Sequence, residues 1–161
     1  MKKTILLSAL LIMSTAGFIT VEKMKEAKEQ EAVEQVIRNL FDGMRANNGD
    51  MVRDAFAENA ILRSISINEN GETVIATGTT VEAFASAVDR PKNAEQQWDE
   101  RIPRYQINID GPLASVWTPY QFYVGDNFSH CGVNSFQLAK SNDKWEIIYI
   151  VDTRRRDNCA E

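Results

Sequence analysis

At 161 residues, with 43% apolar and 25% charged side chains, the chain has the composition of one ordinary folded domain, which excludes a disordered or disulfide-dense protein. Leaving out Lys2 and Lys3 takes the basic count from 18 to 16 against 23 acidic residues, a formal charge of −7 that argues against a nucleic-acid partner. One histidine and two cysteines, with no paired spacing such as C-x-x-C, argue against a zinc site, and no cofactor is expected.

The first 16 residues have two lysines, an apolar run from Ile5 to Met13 and the small residues Ser14-Thr15-Ala16, the pattern of a secretory signal peptide. Cleavage there predicts an exported protein, periplasmic or secreted. A retained leader would instead make the 18 uncharged residues 4–21 a membrane anchor at the lower limit of length. Residues 17–29 read as a charged lead-in, and residues 30–159 as the domain itself.

Val33, Val36, Ile37, Leu40, Phe41 and Met44 recur at helical spacing and predict a first helix with one buried stripe, stopped by Asn47-Asn48-Gly49. Asp50 is the expected N-cap of a short second helix reaching Phe56. The β-rich runs 60–67 and 72–78 flank the turn residues Asn68 to Gly71 and predict a hairpin. Thr79 or Thr80 then caps a third helix that ends at Asp89-Arg90-Pro91. Four longer strands follow, over 98–110, 114–124, 128–140 and 144–153. The expected fold is α+β: a cone-shaped, curved, antiparallel or mixed sheet of about six strands around the long first helix, three helices in all.

This order of elements, together with WTPYQFY at 117–123, FSHCGVNSFQL at 128–138 and WEIIYIVDTRR at 145–155, resembles the nuclear transport factor 2-like superfamily, also called cystatin-like or ketosteroid-isomerase-like. More narrowly it is similar to the exported bacterial branch labelled putative lumazine-binding. The resemblance implies a conical pocket between helices and sheet, a homodimer through the outer face of the sheet, and either binding or catalysis. It also implies where an isomerase would carry its acids and tyrosine. The position after the second helix holds Arg63-Ser64, the first helix has no tyrosine, and strand 128–140 has no Asp or Glu.

The stretch FSHCGVN holds the chain's one histidine, His130, beside Cys131. Neighbours on a regular strand point to opposite faces, so His130 is not expected to activate Cys131 as a nucleophile. Centring the last hairpin on Asn142-Asp143 sets His130 opposite Arg155. That register places His130, Asn134, Phe136, Leu138, Ile147, Tyr149, Val151 and Thr153 on one face, and Cys131, Ile148, Ile150, Asp152 and Arg154 on the other. Trp117 and Tyr123 share a face of the preceding strand, and Tyr120 lies on the opposite one. The expected ligand-binding set is therefore Trp117, Tyr123, His130, Asn134 and Arg155. Cys131 and Cys159 are either two thiols or a disulfide closing a loop of about 29 residues.

The resulting expectation is an exported domain that binds an unknown small molecule without catalysis. Two alternatives stand beside it. An isomerase, dehydratase or hydrolase would use His130 and Asp152, which then have to meet in one cavity despite the register. A protein-interaction module would use the outer sheet face and Arg154-Arg155-Arg156.

Overall fold

The computed structural model describes residues 3–90 and 93–160, with backbone alone for 3–20. The leader expected at residues 1–16 begins outside the described residues and continues as helical backbone. Two compact units are distinguished, Met1–Ala32 and Val33–Glu161. Among the described residues no helix is long and apolar enough to cross a membrane.

Helix α1 (Lys3–Arg45) contributes the apolar stripe that its sequence spacing predicts: Val33, Ile37, Leu40, Phe41 and Met44 are all buried. Asn47 follows it with a left-handed φ of 51°, a conformation asparagine tolerates, and the chain turns into α2 (Gly49–Ala55). Asn48, not Asp50, caps α2: its Oδ1 accepts from the Met51 amide at 3.1 Å, while the Asp50 carboxylate pairs with Arg53. Phe56, expected at the end of this helix, instead opens strand β1 (Phe56–Ile67), where it pairs with Ile147 and is buried.

Strand β2 (Thr73–Ile75) forms the expected hairpin with β1, shorter than the sequence run implies. Thr80 caps α3 (Val81–Asp89) through its hydroxyl. The single strand expected over 98–110 is two, β3 (Trp98–Arg101) and β4 (Gln106–Asp110), both paired with β5 (Leu113–Val124). Pro103 lies in the gap between them, and proline supplies no amide to a ladder. Strands β6 (Asn127–Ser141) and β7 (Lys144–Arg154) complete the sheet.

The sheet runs β2-β1-β7-β6-β5-β3, with β4 also on β5. Strands β1 and β7 are parallel and the other pairs antiparallel, so the architecture is the expected curved, mixed and unclosed α+β sheet against a long helix. Its core joins the α1 stripe to Val116, Phe136, Leu138 and Ile147, with Phe41 edge-on to Phe136 at 6.3 Å.

Two bulges decide which side chains face inward. The β6–β7 turn is centred on Asn142 and Asp143, both with positive φ, and the expected register holds as far as Leu138 opposite Ile147. There Ile148 is left unpaired, Gln137 meets Tyr149, and every later pair is displaced by one residue. Because strand faces alternate, this moves Ile150, Asp152 and Arg154 onto the face of Asn134 and Phe136. Arg155 consequently bridges Cys131 and not His130. The second bulge leaves Ser129 unpaired between Phe128 and His130 at the start of β6.

Candidate functional site

Four strands deliver a polar row across the inner face of the sheet. Ser64 on β1 pairs with Asp152 on β7, Asp152 with Asn134 on β6, and Asn134 with Thr118 on β5. Directly opposed residues share a face, so the four side chains lie side by side. An apolar row flanks them: Leu62, Ile150, Phe136 and Val116. A cavity of about 540 Å³ lies over this surface and is also walled by Leu40, Phe41 and Met44 of α1 and Phe84 of α3.

Asp152 is the hub of the polar row. Its Oδ1 accepts from the Ser64 hydroxyl at 2.5 Å, and its Oδ2 accepts from Arg154 Nε at 2.7 Å and from the Tyr120 hydroxyl at 3.1 Å. Tyr120 shares its single proton with the Thr153 carbonyl at 2.9 Å. Burial, then the nearby Asp152 and Glu100 carboxyls, hold this phenol well above its ordinary range, so it remains a donor. Gly132 opposes Tyr120 on β6, and a Cβ there would sit 1.7 Å from the Thr153 carbonyl oxygen. The absence of a side chain at 132 is what lets Tyr120 and Thr153 approach.

Glu100 enters the cavity from β3. Its Oε1 accepts from Asn134 Nδ2 at 2.7 Å, and Oε2 has no protein partner among the described residues. Burial pushes its carboxyl up to about 8; Asp152 adds to the rise, and the hydrogen bond from Asn134 only partly opposes it. Glu100 is therefore largely protonated at neutral pH.

His130 closes one side of an aromatic group. Its ring lies 5.0 Å from Phe122 and 5.7 Å from Tyr120; Phe122 contacts Trp98, which stacks on Phe84. Its Nδ1 is 3.0 Å from the Ser129 hydroxyl. Burial, reinforced by Arg154, lowers its pKa below the ordinary 6.5, so the imidazole is neutral at neutral pH. Burial thus moves the two groups in opposite directions, the Glu100 carboxyl up to about 8 and the His130 imidazole below its ordinary 6.5.

The cavity thus brings together three sequence-derived candidates, His130, Asn134 and Asp152, and it does so through bulges that the alternation argument omits. Three others lie elsewhere. Trp117 is 49% exposed on the outer face, because its inward neighbours are Val116 and Thr118. Tyr123 shares that outward alternation; its hydroxyl donates to Gln121, and the Arg101 guanidinium covers its ring at 3.9 Å. Arg155 donates to the Asn158 carbonyl from its bridge with Cys131. Cys131 itself is bonded to Cys159, with Cα atoms 5.7 Å apart, which removes it as a nucleophile. The turning tail after Arg154 brings Cys159 back to β6.

The expected ligand-binding set omits Tyr120 and Glu100. For Tyr120 a signal existed: Ala114, Val116, Thr118, Tyr120 and Phe122 form one alternating set, while the other set contains Ser115 and Gln121 and so marks the wet face. Glu100 alternates with Trp98, but reading 98–110 as one strand obscured its position. Among the described residues no three His, Cys, Asp or Glu side chains converge as metal ligands would.

A family model described as "Putative lumazine-binding" matches residues 28–151, which include most of the cavity lining but stop short of Asp152 and Arg154. The chain belongs to that family. Among curated proteins none matches the sequence. Solved structures share the fold of this lumazine-binding-like domain. A nuclear transport factor 2-like protein with a cystatin-like fold from Novosphingobium aromaticivorans is 10% identical with TM-score 0.65, over 88% of this chain and 90% of that one. A nuclear transport factor 2-like protein of unknown function from Shewanella baltica is 17% identical with TM-score 0.58, over 81% and 97%. A structure described as "Putative Scytalone Dehydratase", also from Novosphingobium aromaticivorans, is 12% identical with TM-score 0.63, over 86% and 92%. At these identities the likeness is one of fold.

Proposed function

We propose that this protein is an exported domain that binds a small molecule in its cavity without catalysis. The observation that carries the reading is the cavity: about 540 Å³, within the range of small-molecule sites, with apolar and aromatic walls and a few fixed polar groups at one side. Export is supported by the leader-like first 16 residues and by the Cys131–Cys159 bond, a linkage that persists in oxidising compartments such as the periplasm or outside the cell. A homodimer through the outer sheet face is supported by the exposed Leu113, Trp117 and Ile61. The test is a thermal-shift screen with planar bicyclic compounds, lumazine among them, repeated on Phe122→Ala. A set of compounds that stabilises the unaltered protein and loses its effect in the variant supports binding; stabilisation indifferent to Phe122 counts against it.

A second reading is favoured by one observation. Glu100, Phe122 and His130 form one transverse row, so a protonated acid and a neutral base flank the same aromatic wall. That pairing suits proton transfer in an isomerisation or elimination. His130 would serve as base and Glu100 as acid, because Asp152, the other candidate, already accepts from three donors. Turnover of any compound from the screen that is abolished in both His130→Ala and Glu100→Gln would establish it, and bound compounds recovered unchanged would remove it.

A further inference from the structure

We infer that the cavity selects a planar ligand bearing one negative group, a carboxylate or its equivalent, received by the outer edge of Arg154. The inference rests on the binding reading above. Arg154 lines the cavity with its side chain half exposed, and only Nε is engaged, by Asp152 at 2.7 Å. Its two terminal nitrogens have no acceptor among the described residues. Asp152 fixes the orientation of this guanidinium while leaving free the edge that matches two oxygens of a carboxylate.

Asp152 pairs with Nε, and no other polar group of the cavity supplies an acceptor to the terminal nitrogens among the described residues. Both Asp152 oxygens already accept, Oδ1 from Ser64 and Oδ2 from Tyr120 and Arg154, and its charge is paired with the Arg154 guanidinium. Glu100 is held by Asn134 and is largely neutral, with Oε2 free to donate to an acceptor. His130 is neutral and turns one ring nitrogen to Ser129. An incoming cation would thus meet donors, whereas an anion meets a preoriented fork. The ring of the ligand is set by Phe84, Trp98 and Phe122, whose faces and edges suit a flat aromatic body.

The experiment pairs planar aromatic carboxylates, 2-naphthoate among them, with their neutral primary amides. Affinities are measured by calorimetry at neutral pH for the full chain, Arg154→Gln and Arg154→Lys. The expected result is a preference for the carboxylate of about tenfold or more, abolished in Arg154→Gln and reduced in Arg154→Lys, which keeps the charge but not the fork. The ratio is taken within one protein, so a loss of folded fraction in a variant cancels. Equal affinity for acid and amide, or a preference unchanged in Arg154→Gln, overturns the inference and leaves binding standing. Failure of both members of every pair to bind at about millimolar concentration removes binding and inference together.

Discussion

Asn134 stands directly opposite Asp152 in the ladder of β6 and β7, and both side chains contribute to one polar row beneath the cavity. The pairing exists because Ile148 is passed over in the ladder; without that bulge Asp152 and Arg154 would face outward. The site therefore depends on a backbone irregularity on β7.

Asp152→Asn tests the hub. The substitution weakens bonds from Ser64, Tyr120 and Arg154 and leaves a partly buried guanidinium without its carboxylate. A loss of about 2 kcal/mol is expected, against about 1 kcal/mol for Ser64→Ala, which removes one bond. Urea unfolding of both variants checks the order; equal losses would deny Asp152 its central place.

Glu100 gives the domain a definite pH signature. A free glutamic acid titrates near 4.5, whereas burial holds Glu100 up to about 8. Between those values the folded protein keeps a proton that the unfolded chain has lost, so this contribution to stability declines as pH rises through the interval. His130 acts in the opposite direction: its lowered pKa costs stability as pH falls below the ordinary 6.5. Glu100→Gln keeps the acceptor for Asn134 and removes the titration. Its urea midpoint is expected to exceed that of the unaltered protein at about pH 8, with the difference shrinking toward about pH 5. Parallel profiles would show that Glu100 ionises as freely in the fold as outside it.

Gly132 is where the sheet admits no side chain. With Thr153 carbonyl oxygen 1.7 Å and the Tyr120 ring 3.0 Å from a Cβ built there, Gly132→Ala forces β6 away from β7. A loss of about 3 kcal/mol or more is expected, read from the unfolding midpoint or from a collapse of soluble yield. A variant as stable as the parent would mean that β6 and β7 are not so closely apposed.

The Cys131–Cys159 bond ties the tail to β6 across a separation of 28 residues. Cys159→Ser is expected to cost about 3 kcal/mol, and a reductant should lower the unaltered protein by a similar amount without affecting the variant. An equal response of both proteins to the reductant would place its action elsewhere.

Much of the architecture was legible from local pattern. The α1 stripe, the Asn142-Asp143 turn and the Thr80 cap each follow from spacing or turn chemistry confined to a few residues. The site was legible only in part, because its phase is set by the bulges at Ser129 and Ile148. In β7 the bulge falls within Ile147-Ile148-Tyr149-Ile150-Val151, five consecutive apolar residues in which a change of face leaves no trace. On β5, Trp117 and Tyr123 share one alternation, and Ser115 and Gln121 on that same alternation mark it as the outer face. The position of Glu100 required knowing that the chain breaks at Pro103.

The most direct test of the central claim is native mass spectrometry of gently purified protein after incubation with the planar carboxylates, set beside Ala76→Trp. Ala76 lines the cavity and is exposed, so a large side chain there fills space without disturbing the core. A ligand adduct retained by the unaltered protein and lost in Ala76→Trp is the predicted result. Adducts equal in both proteins, or absent from both, would contradict the assignment of the cavity as a binding site.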